Sequence, residues 1–189
     1  MRIIAGSRRG AALTKLDAVK TRPTADRVRE SLFNILQAGR FRGILADSQV
    51  IDVFAGTGAL GLEAISRGVA FASFIENDAS ALAVLRANIA KLRFQSSAAV
   101  LAADATKLVH WRHAPASVVF ADAPYQTEGG LVAINALAKI GALGDAAVVI
   151  IETEKTETVD SSSLATGLTP IDERNYGKAL LHFLTYQTP

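Results

Sequence analysis

The sequence has no cysteine and no long apolar run, and each absence excludes a class of protein. Without cysteine, the chain can form neither a disulfide framework nor a thiolate metal site. Half of the 189 residues are hydrophobic and the mean hydropathy is +0.26. Even so, no apolar stretch approaches the roughly 18 to 20 residues needed to cross a bilayer. The opening MRIIAGSRRG lacks the apolar centre of a secretory signal, so we expect a cytoplasmic protein that does not enter a membrane.

Histidine is also scarce, since the chain holds only His110, His113 and His182. They are scattered along the sequence, and each fits a satisfied or exposed side chain better than a metal ligand. We therefore expect no metal. The length suits one domain with at most a small appendage.

Positive charge is concentrated at one end of the chain. Residues 1–42 hold ten Lys and Arg against three Asp and Glu, a net charge of +7, whereas the remainder holds ten against fifteen, a net charge of −5. Such asymmetry indicates either a surface that binds a polyanion or a basic surface that is merely solvated. We expect a basic N-terminal extension over residues 1–42 and a second unit over residues 43–189.

Beyond residue 42, apolar strands alternate with helical patterns. This order predicts an α/β fold with a mostly parallel sheet covered on both faces. A basic, loop-like stretch comes first, followed by a helix from Pro23 that ends before Gly39. The predicted strands are 49–54, 69–75, 98–103, 117–121 and 146–152, the helices are 59–67, 79–93 and 128–140, and a hairpin turns at 176–178. Ligands of such sheets bind outside the carboxyl ends of the strands.

The segment DVFAGTGALG, residues 52–61, carries glycines where a predicted strand meets a helix. Gly56, Gly58 and Gly61 fit G-x-G-x-x-G, and Glu76 ends the next strand 20 residues after Gly56. Glycines allow a tight turn and close approach to a ligand, while the carboxylate can hold two ribose hydroxyls. This pattern fits NAD, S-adenosylmethionine (SAM) or a purely structural turn.

Two acids favour SAM. Asp52 precedes the first glycine by four residues, where a carboxylate can meet the amino-acid end of the cofactor. Asp104, after the third strand, can accept a hydrogen bond from an adenine amine, although it equally suits a helix N-cap.

The stretch VVFADAPYQTEGG, residues 118–130, ends a core strand with Asp122, Pro124 and Tyr125. To methylate a base amine, an enzyme must hold both N–H groups and aim the nitrogen lone pair. The Asp122 carboxylate and the Ala123 carbonyl can do this, and Tyr125 can stack the base. A strand-to-helix turn is the alternative explanation for these residues.

These motifs together resemble the RsmD family, bacterial SAM-dependent methyltransferases that modify a guanine of 16S rRNA at N2. MRIIAGSRRG and TRPTADRVRESLFNIL resemble the N-terminal signature of the family, and DVFAGTGALGLEAISRG its SAM loop. FIENDASALAVLRANI, VVFADAPY and VVIIETE resemble the segments that follow. The resemblance covers nearly the whole chain. It implies a Rossmann-like class I methyltransferase with a mostly parallel seven-stranded sheet and a C-terminal antiparallel hairpin.

The resemblance also implies roles for individual residues. The target guanine would be held by Asp122, Ala123, Pro124 and Tyr125. SAM, which leaves as S-adenosylhomocysteine, would be bound by Asp52, Phe54, Ala55, Gly56, Thr57, Gly58, Glu76, Asn77, Asp104 and Ala105. The substrate would be rRNA within an assembled or partly assembled small subunit, and the enzyme would be a monomer. The rRNA would be docked by Arg8, Arg9, Arg22, Arg27 and Arg29.

One position departs from the family pattern. Ala123 stands where the D-P-P-[YF] motif has its first proline. Alanine keeps the carbonyl but loses the fixed φ and the restraint that proline places on Asp122. We therefore expect looser preorganisation and the same reaction.

Three other functions remain open on the sequence. The same chemistry can act on DNA adenine or protein glutamine. A relative with a degraded DAPY motif would bind RNA without catalysis, and an NAD-linked oxidoreductase would use the glycine loop alone.

Overall fold

The structure is a computed structural model that describes residues 1–16, 23–123, 129–156 and 161–189. Three of the predicted site residues, Arg22, Pro124 and Tyr125, lie outside the described residues. Among the residues described, no helix is both long enough and apolar enough to cross a bilayer.

Helices and strands alternate as the sequence predicted. The helices are α1 (Pro23–Leu36), α2 (Ala59–Ser66), α3 (Ala79–Leu92) and α4 (Gly129–Lys139). The strands are β1 (Gln49–Val53), β2 (Phe71–Glu76), β3 (Ala98–Ala102), β4 (Ala116–Asp122), β5 (Leu143–Glu154), β6 (Leu168–Tyr176) and β7 (Ala179–Tyr186). Only β5 differs much from its predicted span of 146–152, because both of its ends extend into pairing with a neighbouring strand.

The strands form a seven-stranded sheet in the order β3-β2-β1-β4-β5-β7-β6. Pairing is parallel from β3 through to β5, whereas β7 runs antiparallel to both of its neighbours. The order reverses direction between β1 and β4, so a crevice opens outside the carboxyl ends of these two strands. The predicted fold class, a mostly parallel sheet with a C-terminal antiparallel hairpin, is confirmed.

The sheet separates two apolar layers. Val118 and Phe120 of β4 and Ile150 of β5 face the layer that contains α1, where Phe33 packs against Phe120 with ring centroids 5.6 Å apart. The residues between them, such as Val119, face the opposite layer with α4. Side chains two residues apart on a strand share a face, so Asp122 and Glu152 continue the α1 face at the carboxyl ends of β4 and β5.

The first residues of the chain are more ordered than the loop-like stretch that the sequence predicted. Arg2 and Ala12 form an isolated antiparallel bridge, and the side chains of Ile3 and Leu13 are buried. These two join the same apolar layer as α1 and the sheet. The division at residue 42 stays a prediction, and the core is continuous across it.

A buried carboxylate on α2 fixes this N-terminal segment. Glu63 is fully buried and accepts hydrogen bonds from the backbone N–H of Ile4 at 2.7 Å and of Ala5 at 3.0 Å. Arg67 forms an ion pair with the same carboxylate at 2.7 Å. Gly6 then passes so close to the Ser66 carbonyl that any side chain there would overlap it. Glu63 thus ties residues 4 and 5 to α2, and loss of its carboxylate would leave three donors unpaired.

Candidate active site

The loop between β1 and α2 is built for close approach. Gly56 and Gly58 have φ angles of 55° and 80°, which L side chains rarely adopt. A Cβ on Gly58 would overlap Leu85. Phe54 also has a positive φ, 57°, which is costly for an aromatic residue and marks the turn out of β1 as strained.

The third glycine connects the loop to the sheet. The backbone N–H of Gly61 donates to the Asp52 carboxylate at 2.8 Å, and a Cβ on Gly61 would overlap the ring of Phe74. The glycine pattern thus positions Asp52 beneath the first turn of α2, and the structural need for each glycine is explained.

Glu76 ties the loop to the end of β2. One of its carboxylate oxygens accepts from the Gly56 N–H at 2.8 Å, and the other accepts from Asn77 at 2.8 Å and Asp78 at 2.9 Å. The structure therefore brings Gly56, Glu76 and Asn77 together, and their role in binding a cofactor stays a prediction.

Asp104 lies after the neighbouring strand and forms the helix cap that the sequence left open. Its carboxylate accepts from the backbone N–H of Thr106 at 3.0 Å and from the hydroxyl of the same residue at 2.6 Å. These bonds, and Lys107 nearby, lower the pKa of Asp104. Ala105 is buried behind it.

A cavity of about 250 Å³ opens outside the carboxyl ends of β1, β4 and β5. Its sheet side carries three carboxylates, Asp52, Asp122 and Glu152, and the opposite side is covered by α1. The glycine loop contributes residues 54–57 to the wall. Glu76, Asp104 and Ala105 are absent from this wall, so the predicted cofactor residues divide between the cavity and the adjoining edge at β2 and β3.

Two of the cavity carboxylates, Asp52 and Asp122, have raised pKa values. Asp52 is 2% exposed, and burial raises its pKa to about 8, with Asp122 and Glu76 adding to the rise and the Gly61 hydrogen bond opposing it. Asp122 is exposed at the cavity, although the protein around it partly desolvates its carboxylate. This desolvation raises the pKa of Asp122 to about 6. Asp52 is therefore a proton-binding group near neutral pH, whereas the exposed Asp122 is mostly ionised there.

Arg29 is the clearest correction to the sequence analysis, which placed it on the RNA-docking surface. The residue is 5% exposed and lines the cavity. One terminal nitrogen donates to the Arg2 carbonyl at 2.9 Å and to Asp26 at 3.1 Å. Its Nε is buried without a hydrogen-bond partner in the part of the chain that the structure describes. Arg29 is not placed to contact phosphate, because α1 turns it inward.

Two other predicted docking residues do meet on the surface. Arg9 and Arg27 are exposed and line a surface pocket of about 330 Å³ together with Arg2, Asp26 and Glu30. Arg8 is more constrained, since its Nε donates to the Leu92 carbonyl at 2.8 Å and its guanidinium lies over the ring of Phe94.

Glu152 lines the cavity but is not among the site residues predicted from the sequence. This residue ends the apolar run of β5 just as Asp122 ends that of β4, and the two are directly paired in the sheet register. An acid at the carboxyl end of a buried parallel strand is the signal that selected Asp122 and Glu76, and it selects Glu152 equally well.

Comparison with known proteins places this site in a family. The family described as "Conserved hypothetical protein 95" matches residues 1–185. The chain is 40% identical over 156 residues, 82% of its length, to ribosomal RNA small subunit methyltransferase D of Escherichia coli K12, of which the match covers 75%. It is 35% identical over 131 residues, 68% of each chain, to the putative rRNA methyltransferase YlbH of Bacillus subtilis.

A solved structure agrees with these sequence matches. The putative methyltransferase yhhF from Escherichia coli is similar with a TM-score of 0.85 and 33% identity, covering 100% of this chain and 99% of that one. The fold, the glycine loop and the acid-rich cavity thus occur together in a chain that belongs to the RsmD family.

Proposed function

We propose that the protein transfers a methyl group from SAM to the N2 amine of a guanine in small-subunit rRNA. One observation carries this proposal: Asp52 beside the glycine loop and Asp122 at the end of β4 line the same cavity. A donor held by the first and an amine held by the second would lie close enough to react. The relatives named as rRNA methyltransferases support the substrate class.

The residues present fit the amino-acid end of SAM. Asp52 suits the ammonium group of SAM. A cation at this position would lower the pKa of Asp52, so that the carboxyl group would ionise when SAM binds. Arg29, which is buried against the same cavity with an unpartnered Nε, suits the carboxylate. When bound, SAM supplies a methyl group on a sulfonium, which the guanine nitrogen displaces to leave S-adenosylhomocysteine.

Other residues extend the cofactor site along the edge of the sheet. Glu76 would hold the ribose while keeping its bond to Gly56, and Asp104 would accept from the adenine amine. Further contacts are proposed for Phe54, Ala55, Thr57, Gly58, Asn77 and Ala105.

Asp122 and Ala123 would hold the target amine. Their carboxylate and carbonyl can accept one N–H each, which points the nitrogen lone pair away from both acceptors. Orientation of this kind contributes up to about 7–11 kcal/mol to catalysis. The raised pKa of Asp122 suits it to take the proton that the nitrogen releases. Tyr125 and Pro124 would stack the base and stiffen the turn.

The rRNA would dock through the basic N-terminal surface. Arg9 and Arg27 flank one surface pocket, where phosphate contacts would position the substrate without reading bases. Arg8 and Arg22 are proposed as further contacts. We expect a monomer that acts in the cytoplasm on an assembled or partly assembled subunit, with one guanine turned out of its stack.

The test uses SAM labelled on the methyl group and small-subunit particles that lack the modification. Digestion of the rRNA should release labelled N2-methylguanosine from one position. Asp122→Asn should bind SAM with similar affinity in calorimetry and transfer almost no label. Label on adenine, on DNA or on protein would overturn the assignment, and so would RNA binding without any transfer.

A further inference from the structure

The proposed amine clasp leaves the choice of base unexplained. Asp122 and the Ala123 carbonyl read an NH₂ group, and adenine, guanine and cytosine all carry one. The difference lies in the ring nitrogen beside that amine. Guanine has two ring nitrogens beside its amine, of which N1 bears a hydrogen and donates while N3 accepts, whereas the ring nitrogen beside the amine of adenine or cytosine accepts. A protein group next to Asp122 that accepts and never donates would therefore discriminate.

Glu152 occupies that place. It is the direct register partner of Asp122 in the parallel pair of β4 and β5, and such partners lie about 4.8 Å apart. Both residues line the cavity, and both continue the sheet face that packs on α1. The side chain of Glu152 is half-buried, so a hydrogen bond formed there is only partly replaced by water.

We propose that Glu152 accepts the N1–H of the target guanine and so selects guanine over bases that present a lone pair there. This inference rests on the proposed function. Glu152 already takes part in an interaction within the chain, and a carboxylate has two oxygens that can accept several hydrogen bonds in total. A site built to bond an N–H rejects analogues that lack it by large factors, because its own polar group is left unpaired.

An analogue of guanine distinguishes recognition of N1 from recognition of the amine alone. 2,6-Diaminopurine keeps an amine at C2 but has a lone pair at N1 where guanine has a hydrogen. Glutamine at position 152 can donate an N–H to that lone pair and keeps nearly the shape of glutamate. Exchanging base and side chain together therefore tests recognition of N1 itself.

The experiment uses particles assembled with 16S rRNA that carries guanosine or 2,6-diaminopurine at the position methylated by the unaltered enzyme. With Glu152, we expect kcat/KM to fall by about 10²-fold or more on the analogue. Glu152→Gln keeps an amide oxygen that can accept from guanine N1–H and gains an N–H that can donate to the analogue, so it should discriminate by less than about tenfold, or prefer the analogue. Glu154→Gln, two residues further along β5 and outside the cavity, should behave as the unaltered enzyme.

Glu152→Ala is a second variant, which removes the carboxylate without adding an amide. Thermal unfolding and SAM titration establish that each variant is folded. Alanine should also flatten the preference. If both folded variants keep the full preference for guanine, the assignment of Glu152 is overturned while the methyl transfer stands. If the unaltered enzyme labels no guanine, the proposed function itself is overturned together with this inference.

Discussion

Two buried carboxylates, eleven residues apart, have opposite surroundings. Glu63 on α2 is surrounded by two backbone N–H groups and the Arg67 guanidinium. Asp52 on β1 is almost as buried, yet within the described residues its one hydrogen bond comes from Gly61. A fully paired buried charge cannot be removed without leaving its donors uncompensated, whereas a buried acid with few donors keeps its capacity for a ligand. The contrast separates the docked N-terminal segment from the cavity.

The largest expected effect comes from removing the well-paired acid. Glu63→Ala leaves the Arg67 charge and two backbone donors unsatisfied in the interior, so the free energy of unfolding should fall by about 3–5 kcal/mol. Urea unfolding measures this loss. Glu30→Ala, an exposed glutamate on α1, is the control and should change stability by less than about 0.5 kcal/mol. Equal losses in the two variants would remove the structural role of Glu63.

The poorly paired acid should respond to pH instead. The pKa of Asp52 is raised to about 8 from 3.8, so between these values the folded protein keeps a proton that the unfolded chain has released. Stability without SAM should therefore fall as pH rises toward 8. The slope is at most about 1.4 kcal/mol per pH unit for one proton. Between pH 6.5 and 7.5 the contribution of Asp52 exceeds that of Asp122, because desolvation raises the pKa of Asp122 only to about 6.

Asp52→Asn should flatten this dependence without a large loss of stability at pH 8, since a neutral amide avoids the cost of burying a charge. Urea midpoints at pH 6.5, 7.0 and 7.5 provide the measurement, with exposed Asp145→Asn as the control. The variant should bind SAM less tightly. An unchanged slope would mean that Asp52 is as well compensated as Glu63.

The smallest effect is expected at the edge of the cavity. Ala123→Pro restores the restraint on backbone φ that the family motif has, so turnover should stay the same or rise a few-fold with little change in SAM affinity. Single-turnover methyl transfer measures it directly. A loss of more than about tenfold would show that the backbone after Asp122 needs a conformation or an N–H that proline denies.

Local pattern predicted much of this molecule. Apolar runs located the strands to within a few residues, and acids at their carboxyl ends pointed to Asp52, Glu76 and Asp122. Such signals work because a parallel sheet buries its strands on both faces and exposes only their ends. Glu152 carries the same signal and could have been found from it.

Other residues owe their place to partners far along the chain. The two backbone N–H groups that donate to Glu63 lie 58 and 59 residues away in the sequence. No local pattern therefore predicts a buried glutamate on α2. Arg29 follows the apolar Val28 on α1, and its charge predicts a position on the protein surface. In the structure both residues line the cavity instead. For Asp104 the sequence predicted either a contact with adenine or a helix N-cap, and it could not distinguish the two.

The cavity is assembled from pieces that are synthesised far apart. Its walls take residues from α1, β1, β4 and β5, and a hundred positions separate Asp52 from Glu152. A nascent chain that ends after the glycine loop lacks the part of the cavity that β4 and β5 supply. Contacts of such long range form late, because the intervening chain must first be ordered. The part of the cavity that β4 and β5 supply, where the base is proposed to bind, should therefore be completed after the glycine loop and β1 have folded.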